Sequence, residues 1–367
     1  MPLVPPYIES LEPYQPGKSI AEIQREYGLT NVIKLASNEN PLGPSPKALE
    51  ELERHHSGLH FYPDGGLQLR RVLAEKFCLR VDNVIAGSGS EGIMSNIIRT
   101  FLCDEDEVLT SEGTFVGFYV LARSRGVKMV TVPLHEYRFD LRALAAHITD
   151  QTKIIYLANP NNPTGTIFTV GEFDEFMRKV PPRTLIILDE AYFEYATENP
   201  EYPDSMIYRY DNVITLRTFS KIYGLAGVRI GYGFAHDMLI RNLLKVKLPF
   251  EPSTLAQAAG IAALDDSEYL RRSVTVNAEG KELLFPALQN LGLGVVRTNA
   301  NFVFVPFANE DQVNAVYEGL LRLGVIVRPL KAFGLPSCVR ITIGTEGQNR
   351  KLVEALQKVL SSGTNRR

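Results

Sequence analysis

Short apolar runs alternate with amphipathic stretches between about residues 67 and 235 of the chain. The runs are rich in Val and Ile and apolar on both faces, which is typical of buried, mostly parallel β-strands. They cover residues 83–86, 107–110, 128–132, 153–157, 184–188, 213–216 and 228–231. One stretch between them places its apolar residues on a single helix face, at Ile93, Met94, Ile97, Ile98 and Phe101. The alternation predicts an α/β fold whose central sheet is flanked by helices.

The pattern changes towards both ends of the chain. Residues 1–35 are proline-rich and weakly periodic, with one short helix predicted near 19–27, and are predicted to form an N-terminal arm. Residues 36–265 are predicted to form the large domain. After them, strands are predicted at 295–307, 325–327 and 339–343, and amphipathic helices at 310–323 and 349–360. Residues 266–367 are therefore predicted to form a smaller C-terminal α/β domain.

The composition is close to that of an average soluble globular protein, since 45% of the 367 residues are hydrophobic and 22% are charged. The formal net charge is −3, so we expect no nucleic-acid or membrane-surface partner. The three cysteines are far apart, and the histidines at 55, 56 and 60 lack further ligand spacing, so neither a disulfide framework nor a metal site is expected. No apolar run is long enough for a membrane span, and we see no signal peptide. We therefore expect a cytoplasmic protein.

A glycine-rich segment follows the first predicted strand. Residues 87–92 match GxGxxG between a strand and a helix. Such a turn lets free backbone N–H groups at the helix start approach a phosphate. Glu112 lies 20 residues beyond Gly92, where a ribose-binding acid lies in dinucleotide-binding folds. An NAD-dependent oxidoreductase built on residues 87–92 is therefore one hypothesis.

Three further motifs follow predicted strands, at the ends where ligands bind in open α/β sheets. Residues 159–165 form a loop of Asn, Pro, Thr and Gly. Asp189 follows a fully apolar run, where a buried carboxylate needs a cationic or protonated partner. Lys221 lies in a turn after a strand, near Ser220 and Arg229, which would suit a phosphate. A lysine in such a place can form a Schiff base once burial or a nearby cation lowers its pKa.

In this order, the motifs resemble those of the fold-type-I, pyridoxal-phosphate-dependent aminotransferases of class I and II. The resemblance covers nearly the whole chain. Within that superfamily it is greatest to the histidinol-phosphate aminotransferases, on segments 14–18, 34–41, 62–65 and 339–344. It implies a large domain with a mostly parallel sheet, a smaller C-terminal domain and an N-terminal arm. It also implies pyridoxal 5'-phosphate as the cofactor.

The resemblance gives each motif residue a role, with Lys221, Asp189 and Tyr192 as the catalytic residues. Lys221 would bind the cofactor as an internal aldimine and act as the base of the 1,3-proton shift. Asp189 would keep the pyridine nitrogen protonated, while Asn162 and Tyr192 would hydrogen-bond the phenolic oxygen. Phe115, where the family often has Tyr, would stack on the ring. The cofactor phosphate would be held by Gly89, Ser90, Glu91, Thr218, Ser220 and Arg229.

The resemblance also implies partners outside the single chain. Tyr62 would reach the cofactor phosphate of a neighbouring subunit, so that a homodimer completes each site. The substrates would be L-histidinol phosphate and 2-oxoglutarate, used in turn in a ping-pong reaction. Because an arginine fork binds a phosphate or a carboxylate equally well, one site could serve both anions. The substrate-binding residues would be Tyr14, Asn38, Asn162, Arg328 and Arg340.

Alternatives stay open at this point. Residues 328–337 resemble family members with broadened specificity, which would make the enzyme an aromatic amino-acid aminotransferase. A decarboxylase or β-lyase could use the same Lys221 and Asp189. The NAD-dependent oxidoreductase would leave both of these residues, and the loop 159–165, without a role.

Overall fold

The computed structural model describes residues 3–13, 17–206 and 210–364. These residues contain twelve β-strands. The strands are β1 (Ile33–Lys34), β2 (Val84–Gly87), β3 (Glu107–Ser111), β4 (Lys128–Val132), β5 (Thr152–Ala158), β6 (Leu185–Asp189), β7 (Val213–Thr218), β8 (Gly231–Phe234), β9 (Phe302–Pro306), β10 (Val325–Ile326), β11 (Arg328–Pro329) and β12 (Cys338–Thr342).

The same residues contain fourteen α-helices. The helices are α1 (Pro6–Glu9), α2 (Ile20–Tyr27), α3 (Pro46–His55), α4 (Leu67–Lys76), α5 (Gly89–Phe101), α6 (Val116–Arg125), α7 (Leu141–Ala146), α8 (Val170–Met177), α9 (Phe193–Ala196), α10 (Asp237–Val246), α11 (Thr254–Leu264), α12 (Ser267–Asn290), α13 (Glu310–Arg322) and α14 (Glu346–Thr364). Within the described part of the chain, none of them combines the length and the apolar character that crossing a membrane requires.

Seven strands form the central sheet, in the order β2-β8-β7-β6-β5-β3-β4. β8 is antiparallel to both of its neighbours, and the pairs from β7 to β4 are parallel. One buried cluster packs α5, α6, α7, α8 and α10 against the sheet, and a second packs α3, α4 and α11. Strands covered in this way are apolar on both faces, as β6 is along its whole length up to Asp189. The predicted α/β architecture with a mostly parallel sheet is confirmed.

The strand predicted at residues 228–231 is wrong. Ala226–Val228 form a single 3₁₀ turn, and the strand begins at Gly231. Arg229 has a φ of 58°, in the left-handed region, and this conformation interrupts an extended run. The apolar residues there flank a turn, and the turn directs Arg229 towards the end of the sheet.

A second, smaller unit contains the remaining strands. β11, β12 and β9 form an antiparallel sheet in that order, and β1 pairs with β10 in parallel. The strand predicted at 295–307 is too long, because regular pairing covers β9 alone and Val296 makes one isolated bridge to Phe304. Helices α12, α13 and α14 enclose the apolar core of this unit.

The N-terminal segment packs on that smaller unit. Helix α2 begins at a capping box in which Ser19 and Glu22 bond each other's backbone N–H groups, as helix starts often do. Ile23 and Ala36 pack with Leu321 and Ile326 in a separate apolar cluster. Residues 20–36 therefore bridge towards the C-terminal strands, while the division of the chain at 35/36 and 265/266 stays a prediction.

A buried ion pair joins the ends of β6 and β7. Arg217 donates to Glu190 Oε2 from Nε (2.9 Å) and lies 2.8 Å from the same atom through Nη2. Asp204 Oδ1 lies 3.1 Å from Nη2, and the Phe193 ring lies 3.3 Å from the guanidinium carbon. Both charges are buried and have lost their water, so each is stabilised mainly by the charge of the other.

We expect Arg217→Met to lower the free energy of unfolding by about 3–5 kcal/mol, because it leaves the Glu190 carboxylate buried without its cation. Urea unfolding followed by circular dichroism measures the change. Arg183→Met is the control, since Arg183 pairs with Asp150 at the surface and its loss should cost less than about 1 kcal/mol. Equal effects of the two substitutions would contradict this account.

Candidate active site

A cavity of about 220 Å³ lies where β5, β6 and β7 end. Parallel strands present their carboxyl ends at one edge of a sheet, and here Ala158 pairs with Asp189, which pairs with Leu216. Ten residues predicted from the sequence line this cavity: Ser90, Glu91, Phe115, Asn162, Asp189, Tyr192, Thr218, Ser220, Lys221 and Arg229. The structure therefore brings together motifs that are separated by up to about 140 residues of sequence.

Asp189 is a buried carboxylate with one oxygen satisfied by a side chain. Its Oδ2 accepts a hydrogen bond from Tyr156 Oη (2.8 Å), and its Oδ1 is buried without a partner among the described residues. Burial raises the pKa of Asp189 to about 6, although the hydrogen bond from Tyr156, the backbone N–H of Ala191 and the charge of Lys221 act in the opposite direction. Oδ1 lacks a donor, and a cation or a protonated nitrogen in the cavity would supply one.

Lys221 follows β7 in the turn that also contains Ser220. Its Nζ donates to the Ser37 carbonyl (3.3 Å) and lies 5.7 Å from the centre of the Tyr192 ring. Burial, with the positive charge of Arg340 as the next cause, lowers the pKa of Lys221 to about 8. The neutral amine, which is the nucleophilic form, is therefore accessible close to neutral pH.

One end of the cavity gathers groups that suit an anion. Helix α5 begins at Gly89, whose φ is 79° and where a Cβ atom would lie 2.8 Å from Arg229 Nη2. The hydroxyls of Thr218 and Ser220 are hydrogen-bonded to each other (3.1 Å). Free N–H groups at a helix start, an arginine and two hydroxyls are groups that could hold a phosphate together. Glu91 Oε2 lies 4.0 Å from Arg229 Nη2, so part of the arginine charge is balanced by the chain itself.

Asn162 lines the cavity and is bonded to Arg340, which is not among the lining residues. Asn162 Oδ1 accepts from Arg340 Nη1 (2.5 Å), and Arg340 Nη2 donates to the Ala36 carbonyl (2.7 Å). The Arg340 guanidinium lies 5.4 Å from the centre of the Phe302 ring and 5.6 Å from that of Phe333.

Arg328 and Asn38 are not among the lining residues, and they connect to the cavity through Arg340 and Tyr192. Arg328 is the cross-strand partner of Arg340, which puts both side chains on one face of the sheet. Asn38 Nδ2 donates to Tyr192 Oη (2.8 Å), so Asn38 adjoins the cavity through that tyrosine.

Tyr62 lies away from this cavity. Tyr62 is 81% exposed and stacks on Phe250, with ring centres 4.3 Å apart. It lines a separate groove of about 990 Å³ on the surface. Tyr14 lies outside the described residues.

Sequence reasoning missed Tyr156, and the signal for it was weak. Tyr156 is the one aromatic residue of β5, among aliphatic neighbours at 154, 155 and 157, so its hydroxyl could have been expected to need a buried partner. It missed Thr342 and the carbonyls of Ala36 and Ser37 entirely, because these groups contact the site from segments that are distant in sequence.

The glycine-rich segment does not form a dinucleotide-binding unit. Such a unit needs two adjacent parallel strands joined through the helix. β2 lies at the edge of the sheet beside the antiparallel β8, and β3, which follows α5, lies four strands beyond β8. The hypothesis of an NAD-dependent oxidoreductase is therefore not favoured.

Comparisons with known proteins agree with this geometry. Residues 30–356 match the family model described as "Aminotransferase class I and II". A protein of Moorella thermoacetica named histidinol-phosphate aminotransferase is 44% identical over 358 residues, covering 96% of this chain and 92% of that protein. One of the same name from Anaeromyxobacter sp. is 44% identical over 99% of this chain and 100% of its own.

The solved structures give the same result for the fold. The crystal structure of histidinol-phosphate aminotransferase from Sinorhizobium meliloti in complex with pyridoxal-5'-phosphate superposes with a TM-score of 0.88. It is 29% identical, and the match covers 99% of this chain and 98% of that one.

We expect Tyr156→Phe to raise the pKa of Asp189 above its value of about 6, because the tyrosine O–H stabilises the ionised carboxylate. Infrared difference spectra across a pH titration, with Asp189→Asn to assign the carboxyl band, measure the midpoint. Tyr202→Phe is the control, since that buried hydroxyl bonds the Asn159 carbonyl instead. An unchanged or lower midpoint in Tyr156→Phe would contradict the assignment.

Proposed function

Because the chain belongs to the class I and II aminotransferase family, we propose that it transfers the amino group of L-histidinol phosphate to 2-oxoglutarate with pyridoxal 5'-phosphate as cofactor. One observation carries the proposal. Asp189, with its unpartnered Oδ1 atom, and Lys221, with its lowered pKa, line the same cavity. The substrate follows from the relatives, which are named for histidinol phosphate and match almost the full chain.

The residues of the cavity fit this cofactor. Asp189 Oδ1 lacks a donor, and a protonated pyridine nitrogen is one. A Cβ atom at Gly89 would lie 2.8 Å from Arg229 Nη2, so the guanidinium adjoins the start of α5 and the two could hold one phosphate together. Asp189 would hold the pyridine nitrogen, the start of α5 and Arg229 would hold the phosphate, and Phe115 lines the same cavity.

When bound, pyridoxal phosphate would supply an electron-accepting ring that stabilises the negative charge left on a substrate carbon after its proton is removed. Lys221 would attach the cofactor through its amine and then move the proton to and from that carbon. A pKa of about 8 suits both tasks, because the amine takes up and releases a proton near neutral pH. Asp189 would hold the proton on the pyridine nitrogen as an ionised partner.

Two donors on the other side of the cavity would orient the ring. The Asn162 side-chain oxygen is taken by Arg340, so its amide N–H groups are left to point elsewhere. Burial raises the pKa of Tyr192 to about 12, which keeps its hydroxyl protonated and able to donate. Both groups line the cavity beside Lys221.

Arg340 and Arg328 would bind the anionic end of each substrate. Two like charges opposite each other on neighbouring strands repel, and a bound phosphate or carboxylate relieves that repulsion. The Phe302 and Phe333 rings lie close to the Arg340 guanidinium and restrict its movement, which favours bidentate hydrogen bonding to the anion. The same pair would serve the phosphate of one substrate and a carboxylate of the other in turn.

We expect kcat/KM for histidinol phosphate to exceed that for phenylalanine by at least about tenfold, and Arg328→Gln to remove most of this preference, because one arginine–phosphate contact accounts for a difference of this size. Steady-state assays with 2-oxoglutarate measure both ratios. Arg322→Gln, on the exposed face of α13, is the control for loss of charge. A preference for phenylalanine would show an aromatic amino-acid aminotransferase instead.

We further propose that the enzyme is a homodimer in which Tyr62 completes the site of the partner. Tyr62 and Phe61 project from the surface, with exposures of 81% and 69%, and Phe250 and Leu248 lie at 49% and 54%. A monomer gains nothing from aromatic groups left in water, whereas an interface between two copies would bury them. The proposed location is the cytoplasm, because Cys78 and Cys103 are exposed free thiols, which suits a reducing compartment.

A mixture of Lys221→Ala and Tyr62→Ala chains tests the crossing tyrosine. In a hybrid dimer one site loses both residues and the other keeps both, so mixing the variants in equal amounts should restore about a quarter of the wild-type activity. Activity after dissociation and reassociation, compared with each variant alone, is the measurement. If Tyr62 served its own chain, both hybrid sites would remain defective and mixing would restore nothing.

A further inference from the structure

Asn38 lies where the N-terminal segment meets the C-terminal strands. The residue is 1% exposed and has a φ of 56°, a left-handed conformation that Asn tolerates better than most residues. Its backbone N–H donates to Thr342 Oγ1 (2.9 Å), and its carbonyl accepts from Asn301 Nδ2 (3.0 Å). These contacts fix the backbone of Asn38 on β12 and on the start of β9.

The hydrogen bonds at Thr342 determine which way the Asn38 amide faces. Thr342 Oγ1 accepts from the Asn38 backbone, so the single proton of this hydroxyl is left for Asn38 Oδ1, at 3.2 Å. The amide oxygen therefore faces Thr342, and Nδ2 faces Tyr192 Oη at 2.8 Å. An amide nitrogen is a donor, so the tyrosine oxygen is the acceptor in this contact.

The remaining freedom of Tyr192 is the rotation of its O–H bond. Its ring packs edge-on against Phe302, with centres 5.2 Å apart and planes at 81°. Since Asn38 already donates to the oxygen, the hydroxyl proton must point in another direction. Within the described residues no acceptor is found for it, and the side chain lines the cavity.

We propose that Thr342 and Asn38 are positioning residues that aim the Tyr192 proton into the cavity, towards the ring oxygen of bound pyridoxal phosphate. Thr342 acts through Asn38, and Asn38 acts through Tyr192. The proposal rests on the function proposed above and adds two residues that set the direction of one proton.

This arrangement has a spectroscopic consequence. A donor to the ring oxygen stabilises its anionic form, which is the form present once the lysine-linked cofactor has lost its proton. Loss of the donor therefore makes this deprotonation harder. It raises the pH midpoint at which the absorption band of the protein with bound pyridoxal phosphate changes. The midpoint is measured without substrate, so it is independent of turnover.

Thr342→Val keeps the shape of the side chain and removes its hydroxyl, which frees the Asn38 amide to turn. We expect it to raise the pH midpoint by about one unit, the size of one hydrogen bond to a charged group. Thr342→Ser restores the hydroxyl and should return the midpoint to near the wild-type value. In a Tyr192→Phe background Thr342→Val should add no further shift, because the proton to be aimed is gone.

Asn38→Asp tests the same series of hydrogen bonds at its middle residue. Aspartate matches asparagine in shape and tolerates the left-handed backbone, but its carboxylate accepts the tyrosine proton and turns it away from the cavity. Asn40→Asp is the matched control, since that buried amide donates to Ile222 and Ser273 and does not contact Tyr192. The expected midpoint shift is larger for Asn38→Asp than for Asn40→Asp.

A cofactor analogue without the ring oxygen distinguishes an effect on the direction of the Tyr192 proton from a general effect on packing. We expect Thr342→Val to weaken binding of pyridoxal phosphate about tenfold, the equivalent of one pH unit, and to leave binding of 3-deoxypyridoxal phosphate unchanged. Equal weakening of both, equal midpoints for Thr342→Val and Thr342→Ser, or a further shift in the Tyr192→Phe background would overturn the proposal. A wild-type protein without any cofactor band would instead overturn the proposed function.

Discussion

A carboxylate enclosed at the end of β6 is the constraint on which the rest of the site depends. Removing an ionised Asp189 from water is unfavourable unless donors or cations replace the lost hydration. The chain supplies part of this with the Tyr156 hydroxyl and the nearby Lys221. It leaves the other oxygen, Oδ1, buried without a hydrogen-bond partner among the described residues. A ligand that brings a proton to that oxygen is therefore stabilised by a group that the fold has already dehydrated.

The cavity is built from parts that belong to different packing units. The central sheet supplies the carboxylate, the lysine and the groups near Arg229 that suit an anion. The antiparallel sheet supplies Arg340 and Thr342 from one face of β12, and these bond to Asn162 and Asn38. Residues 33–40 lie between them, with the Leu35 carbonyl accepting from the backbone of Thr342 (2.8 Å) and the Ala36 carbonyl accepting from Arg340. The residues directly after the predicted arm thus contact the site, through the Ser37 carbonyl on Lys221 and the Asn38 amide on Tyr192.

The sequence was informative wherever the chemistry is local. Lys221 and Asp189 could be found because each follows an apolar run, and parallel strands bring such ends together. The displaced β8 shows the limit of this reasoning. Apolar character predicted a strand at 228–231, but the backbone of Arg229 takes a left-handed conformation that a hydrophobic pattern does not encode. Tyr156 and Thr342 could not be assigned, because their partners are fixed by strand register and by contacts across the chain.

The contact between Asn38 and Thr342 joins residues 304 positions apart. Contacts so distant in sequence form late, since the intervening chain must first be made and ordered. While the protein is being translated, the central sheet can begin to assemble. The contacts that Arg340 and Thr342 make to the site can form only after β12 has left the ribosome. A nascent chain that stops before that strand carries the lysine and the carboxylate without these contacts. Synthesis must therefore have passed β12 before the pocket can close.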